Sequence, residues 1–318
     1  MGREKCRVKY EVAHLCARGA RPMNQDRVSV AERDNAVLLS VADGLGGHRG
    51  GEIAAEITTQ TVTHAFQSVR TPIIGRPSAF LALSILQAHQ AILRRGKASM
   101  FTLQPRTTCV ACIVQHGYAY WAHVGDSRLY HFRRGQLLQR TLDHSTIEEL
   151  RKDGLLTEDE MRNHPQKGKL TICVGGPNKP KIALGQETAL ARDDVLLLCS
   201  DGIWEAHTPE ELGKFLARGS LEEAAEEILF SAERKMDDRC DNMSVVCFRW
   251  LEPAPTGLPL QGNASIEIDE RMLIDNAATI KASGRQQMRP EKTKDGVRDI
   301  AEEIEELEKY LRDREPKS

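Results

Sequence analysis

Apolar residues follow two alternating rhythms from residue 5 to about residue 250. Unbroken runs at 37–42 (VLLSVA), 108–114 (TCVACIV), 118–124 (YAYWAHV), 195–200 (VLLLCS) and 243–250 (MSVVCFRW) have the length and composition of buried strands. Between them, 51–68, 78–95, 208–217 and 221–235 carry apolar residues at three- and four-residue spacing, the mark of an amphipathic helix. Phe80, Leu81, Leu83, Ile85, Leu86 and Ile92 show it best. The charged, weakly periodic segment 145–169 reads as a mobile insertion. At 252–262 (EPAPTGLPLQG) three prolines and two glycines mark a linker. Polar sequence follows until Val297, Ile300, Ile304, Leu307 and Tyr310 or Leu311 recur at alternating spacings of three and four. That coiled-coil-like stripe is short, and it suits either a solvated helix or one that binds a partner or its own copy. The expected organisation is therefore one domain over 1–251 and a tail over 252–318.

Composition narrows the class. With 318 residues, 40% apolar, 28% charged and a formal charge of −2, the chain has no bulk attraction for nucleic acid or for an anionic membrane. No apolar stretch approaches the roughly 20 residues that span a bilayer, and the N-terminus lacks the apolar core of a signal peptide. A cytoplasmic protein is expected. The eight cysteines agree, because Cys109, Cys112, Cys173, Cys199 and Cys247 lie in apolar, strand-like runs where a reduced thiol packs as a small hydrophobe. Cys109 and Cys112, three apart on a strand, should face opposite ways and so make no metal pair.

Candidate chemistry begins where the first long run ends, at "VADGLGGHRGGE" (41–52). The loop fails as a P-loop, because Glu52 stands where lysine is needed, and as a dinucleotide loop, because Arg49 interrupts the glycines. "VLLLCSDG" (195–202) repeats the event of an apolar run closing on Asp-Gly, and "RCDNMSVVCF" sets Asp241 before another run. Asp126 ends "AYWAHVGD". Each aspartate alone reads as a turn residue. Together they would form a carboxylate cluster if the strand ends meet, and like charges at close range call for a hard divalent cation. A glycine after Asp43 would let a backbone carbonyl approach such an ion. Arg21, in "ARGARPMNQDR" (17–27), reads either as a solvated arginine or as a fork for two phosphate oxygens.

These pieces, taken in order, resemble the metal-dependent serine/threonine phosphatases of the protein phosphatase 2C family in their bacterial-like form. The matching stretches are "GARPMNQD" (19–26), "VADGLGGHRGGE" (41–52), "RTT" (106–108), "AHVGDSRLY" (122–130), "LDHS" (142–145), "LLCSDGIWE" (197–205) and "CDNMSVV" (240–246). The resemblance implies an α+β fold: a four-layer αββα sandwich, two antiparallel sheets face to face with helices outside. It implies two Mn²⁺ or Mg²⁺ ions bridged by Asp43, with the Gly44 carbonyl on one ion and Asp201 and Asp241 on the other. Asp26 would act through water, and Asp126 matches the aspartate linked to a third ion. Arg21 matches the phosphate-binding arginine. His48 is a candidate proton donor to the leaving oxygen, or a structural loop histidine. Residues 146–168 fall where the family carries its flap. Phosphorylated serine/threonine proteins and a cognate serine/threonine kinase pathway are the implied partners. Two other readings stand beside this one. A catalytically weak regulator acting through its tail would be expected to lose metal aspartates, and Asp43, Asp201 and Asp241 are present. A two-metal nuclease would need basic and aromatic surfaces that 5% aromatic content does not provide.

Overall fold

Strands form where the apolar runs can be covered on both faces. A computed structural model describes residues 9–256, apart from 34, 46–49, 72, 98–103, 158–159, 162–163 and 167. Its long strands are β1 (Tyr10–Ala17), β2 (Arg27–Arg33), β3 (Ala36–Ala42), β6 (Cys109–Gln115), β7 (Tyr118–Val124), β8 (Arg128–Arg133), β9 (Gln136–Arg140), β12 (Val195–Cys199) and β13 (Met243–Trp250). Two-residue strands are β4 (Gly44–Leu45), β5 (Arg106–Thr107), β10 (Ala183–Leu184) and β11 (Thr188–Ala189). The described helices are α1 (Gly51–Ser68), α2 (Pro77–Lys97), α3 (Thr146–Lys152), α4 (Asp201–Trp204), α5 (Pro209–Leu216) and α6 (Leu221–Met236).

The strands make a five-stranded sheet, β1-β13-β12-β8-β9, and a six-stranded sheet, β10-β7-β6-β3-β2 with β11 also on β7. All pairings are antiparallel. Three apolar clusters separate four layers. Val37, Leu39, Val41, Val110 and Cys112 meet Leu129, Leu196, Leu198, Val246 and Phe248 between the sheets. Leu38, Cys109, Ala111 and Ile113 pack outward on Phe66, Leu81 and Ile85 of α1 and α2. On the other side Tyr130, Phe132, Leu197 and Cys247 pack on Leu212, Leu216 and Ile228 of α5 and α6. The expected αββα sandwich is the fold, and Cys109 and Cys112 do face opposite layers.

Helices α5 and α6 begin where capping boxes permit. Thr208 with Glu211, and Ser220 with Glu223, each exchange side-chain and backbone hydrogen bonds. The expectation of a loose insertion at 145–169 needs a correction at its start. Ser145 caps α3, and Glu148, fully buried, pairs with Arg140 at 3.3 Å and Arg151 at 2.5 Å. This first turn is anchored by charge rather than by apolar periodicity, which is why its composition looked like a loop. Cys173 also departs from expectation, lying outside any strand and only partly buried. Among the described residues no helix is long and apolar enough to cross a membrane. The stripe at 297–311 lies outside the described residues.

Candidate active site

Register decides which side chains meet. Arg27 pairs with Ala42, so Asp26, just before β2, and Asp43, just after β3, sit at one edge of the six-stranded sheet. In the other sheet Cys199 pairs with both Arg128 and Val245. That places Asp201 at the start of α4, Asp126 ahead of β8 and Asp241 ahead of β13 at the corresponding edge. A hydrogen bond joins the two sheets there: the Ser200 hydroxyl donates to Asp26 Oδ2 at 2.7 Å. Ser200 Oγ in turn accepts from the Ser244 N–H at 3.0 Å.

Electrostatics show the aspartates as one group. Burial pushes Asp26 up to about 6, against the hydrogen bonds from Ser200 and Ser244. Burial, with Asp143 adding to it and Arg128 opposing, pushes Asp126 up to about 7. Asp43 and Asp201 rise well above the usual carboxylate range, first through desolvation and then through neighbouring acids, Asp201 leading for Asp43 and Asp126 for Asp201. Both are crowded by protein yet keep part of their surface open to solvent. Arg21 Nη2 donates to Asp241 Oδ2 at 2.5 Å, and that bond raises the arginine's own pKa. Arg21 is 57% exposed, so it approaches the cluster from the solvent side.

This edge fits hard divalent ions. Its donors are carboxylate oxygens with no histidine or thiolate among the assigned residues. Asp26 Oδ1 is buried with no hydrogen-bond partner, a state that costs free energy unless something else satisfies it. Among the described residues the acids are close enough to repel one another but do not already form a ligand cage.

The glycines of the two Asp-Gly pairs serve a purpose the sequence did not disclose. A Cβ on Gly44 would lie 2.3 Å from the Gly51 carbonyl carbon, because β4 crosses the first residue of α1 at backbone contact. A Cβ on Gly202 would lie 2.3 Å from the Asn242 oxygen. Neither glycine has a positive φ, so these are close approaches and not turns that require left-handed backbone. His48 lies outside the described residues.

Several supporting side chains escaped the sequence reading. Asn242 Nδ2 donates to the carbonyls of Arg18 and Met23 at 2.8 and 3.0 Å, and its Oδ1 accepts from the Gln25 N–H at 2.8 Å. It thereby ties the loop carrying Arg21 to the Asp241 edge. Thr108 Oγ1 accepts from the Asp43 N–H at 2.9 Å and contacts Ser127 Oγ at 2.7 Å. The signal available was a polar residue directly beside an acid at a strand end. The partners, however, are tens or hundreds of residues away.

Comparison with known proteins bears on the same region. The family model "Protein phosphatase 2C" matches residues 17–235. The serine/threonine phosphatase stp of Listeria welshimeri is 30% identical over 226 residues, 70% of this chain and 88% of that protein. The serine/threonine phosphatase of S. agalactiae has a similar solved structure, with a TM-score of 0.68 and 30% identity over 77% of this chain and 100% of that one. The catalytic domain of PstP, solved in complex with 2 manganese ions, gives a TM-score of 0.66 at 26% identity, covering 76% of this chain and 99% of that one.

Proposed function

The chain belongs to the protein phosphatase 2C family, and from that premise we propose that it removes phosphate from serine and threonine at the carboxylate edge, through Asp43, Gly44, Asp201 and Asp241. It is a metal-dependent protein serine/threonine phosphatase acting on phosphorylated proteins. What carries the site assignment is the convergence of mutually repelling carboxylates from both sheets at one edge.

Divalent ions held there would supply charge neutralisation and a water that ionises near neutral pH. Asp43 and the Gly44 carbonyl would hold one ion, and Asp43, Asp201 and Asp241 the other, with Asp126 toward a third. Asp26 keeps one oxygen on Ser200 and offers the other to a water beside the ions. Arg21, exposed beside Asp241, would fork two phosphoryl oxygens and orient the phosphorus for in-line attack. His48 is assigned the proton that the leaving oxygen must receive. Mn²⁺ or Mg²⁺ would fill the site, and the PstP catalytic domain was solved in complex with 2 manganese ions. A cognate kinase pathway follows from the substrate class, and the free cysteines of the described residues favour a reducing, cytoplasmic setting. Residues 1–251 would suffice for catalysis, with 252–318 serving a partner or self-association.

The test is hydrolysis of a phosphothreonine peptide by the full chain. Turnover should stop on chelation, return with Mn²⁺ or Mg²⁺, and survive thiol blocking. An Asp201→Asn protein with full metal-dependent turnover would overturn the assignment.

A further inference from the structure

Arg128 is buried at the base of β8 with 1% of its surface exposed. Its Nε and Nη2 donate to Asp143 Oδ1 and Oδ2 at 2.9 and 2.7 Å, a two-pronged fork. Its Nη1 donates to the Tyr130 hydroxyl at 2.9 Å. The flat guanidinium lies on the Trp204 ring, 3.8 Å from the centroid, where a desolvated cation is well held. Trp204 Nε1 then donates to the Asp126 carbonyl at 2.9 Å.

Each contact leads to a different part of the site. Trp204 closes the single turn of α4 that Asp201 opens. Asp126 lies on the loop before β8. Asp143 lies just ahead of the flap segment 146–168: the next residue, His144, donates its N–H to the Gly125 carbonyl at 2.9 Å, and its carbonyl accepts from the Thr171 N–H, just beyond that segment, at 2.9 Å. A buried ion pair is poor evidence of stabilisation by itself, because apolar residues of similar volume often do as well. What it supplies here is direction. Asp126 and Asp201 reach the same edge on different elements, and Trp204, which closes the turn opened by Asp201, bonds the Asp126 carbonyl.

We propose that Arg128, Asp143 and Trp204 form a positioning unit that fixes Asp126 and Asp201 relative to each other and ties both to the flap base. Ion affinity and substrate engagement are then set by one stack. The proposal rests on the metal-centre assignment above.

The experiment uses the full chain in three variants. Trp204→Phe keeps a ring over Arg128 and removes only the hydrogen bond to Asp126. Arg128→Met/Asp143→Leu removes both charges and leaves neither orphaned. Asp201→Asn is the control for the metal centre. Chelator-treated proteins are titrated calorimetrically with Mn²⁺, melting temperature is recorded, and kcat and KM for a phosphothreonine peptide are measured at saturating Mn²⁺. Trp204→Phe is expected to melt close to the parent yet bind Mn²⁺ roughly tenfold more weakly, as when an outer contact of a metal site is lost. The double variant is expected to show the same loss and also a raised KM with a smaller change in kcat. Parent-like Mn²⁺ affinity in Trp204→Phe, with binding lost in Asp201→Asn, overturns the positioning unit alone. Parent-like affinity in Asp201→Asn overturns the metal centre and the positioning unit with it. If the double variant does not fold, Trp204→Phe decides.

Discussion

Strand β12 has an aspartate at each end, and the protein treats the two in opposite ways. Asp194, just before the strand, is fully buried and paired. It takes a two-pronged bond from Arg133 at 2.7 and 2.8 Å, a contact with His131 Nε2 at 2.9 Å and the Ala191 N–H at 2.8 Å. Burial works against its charge, but Arg133 and His131 outweigh it and hold the carboxyl down to about 2. Asp201, beyond the other end, faces Asp126, Asp241, Glu205 and Asp26 and is driven upward. An acid whose cation is supplied by the chain is part of the scaffold. An acid surrounded by other acids has no cation from the chain, and under the proposed assignment it takes one from solution.

Exchanging each for its amide separates these two uses, with the largest effect at the site. Asp201→Asn should cut phosphopeptide turnover by roughly 10²–10³-fold, the scale for losing one group that stabilises developing charge. The same change should leave the chelator-treated protein at least as stable as the parent, since it removes repulsion. Asp194→Asn should do the reverse. It should lower stability by about 3 kcal/mol by stranding buried partners, a fall in melting temperature on the order of 10 °C, with turnover per folded molecule retained. Steady-state kinetics and thermal melts of both proteins check the pair. If both variants lost activity without losing stability, the two ends would not differ as argued.

The same contrast shows what could be read from the chain. Runs that are apolar on both faces were legible, and 118–124, 243–250 and 51–68 match β7, β13 and α1 residue for residue. Strands β1, β2, β8 and β9 were not. The first two and β9 are edges with partly exposed faces, and β8 carries the buried Arg128 and His131. The Arg128 charge is met by Asp143 and the His131 ring by Asp194, partners that no local pattern reveals. That the aspartates meet at one edge was legible, because the same event recurs along the chain. Ser200, Asn242, Thr108 and the Arg128 stack were not, since each acts on a residue distant in sequence. The Asp-Gly pairs were noticed for their acids, and that each glycine also admits a crossing backbone was not foreseen.

A smaller effect comes from pH. Asp43, Asp126 and Asp201 hold their protons to higher pH when folded than when unfolded. The folded chain therefore binds more protons as pH climbs past about 4, and their contribution to stability falls as pH rises. Asp194 behaves oppositely, its stabilisation being complete above an unfolded pKa of about 3.9 and lost toward pH 2. His144, stacked on His123 and held neutral by burial down to about 3, loses stability only as pH falls below about 6.5. Between pH ~6.5 and ~8, where Asp126 at about 7 loses its proton, the carboxylate cluster is thus the falling contribution. Chelator-treated protein should melt lower at pH 8 than at pH 6.5. Mn²⁺ or Asp43→Asn should flatten that difference. A parent protein whose melting temperature rises over this range would contradict the charge pattern assigned to the cluster.

The smallest effect is expected from removing the tail, and the comparison of strand ends says why. The chain leaves the sandwich at the Asp194 end. The Asp193 N–H donates to the Trp250 carbonyl at 2.7 Å, the Trp250 N–H to the Asp194 carbonyl at 3.0 Å, and the Leu251 N–H to the Lys9 carbonyl at 3.1 Å. Pro255 still packs on the core, its ring 3.2 Å from where a Cβ on Gly117 would stand, and the Trp250 indole N–H reaches the Pro253 carbonyl at 3.5 Å. Deletion should therefore begin at 257, because a cut at 253 also strips packing from Trp250 and would confuse lost stability with lost function. Removing 257–318 should change kcat/KM for a phosphothreonine peptide by no more than about twofold, as for a surface change away from the site. A loss beyond tenfold in a truncation that melts like the parent would mean that the tail reaches the Asp201 end. The two ends of β12 would then be coupled through the tail, and the division between scaffold acid and site acid would have to be drawn elsewhere.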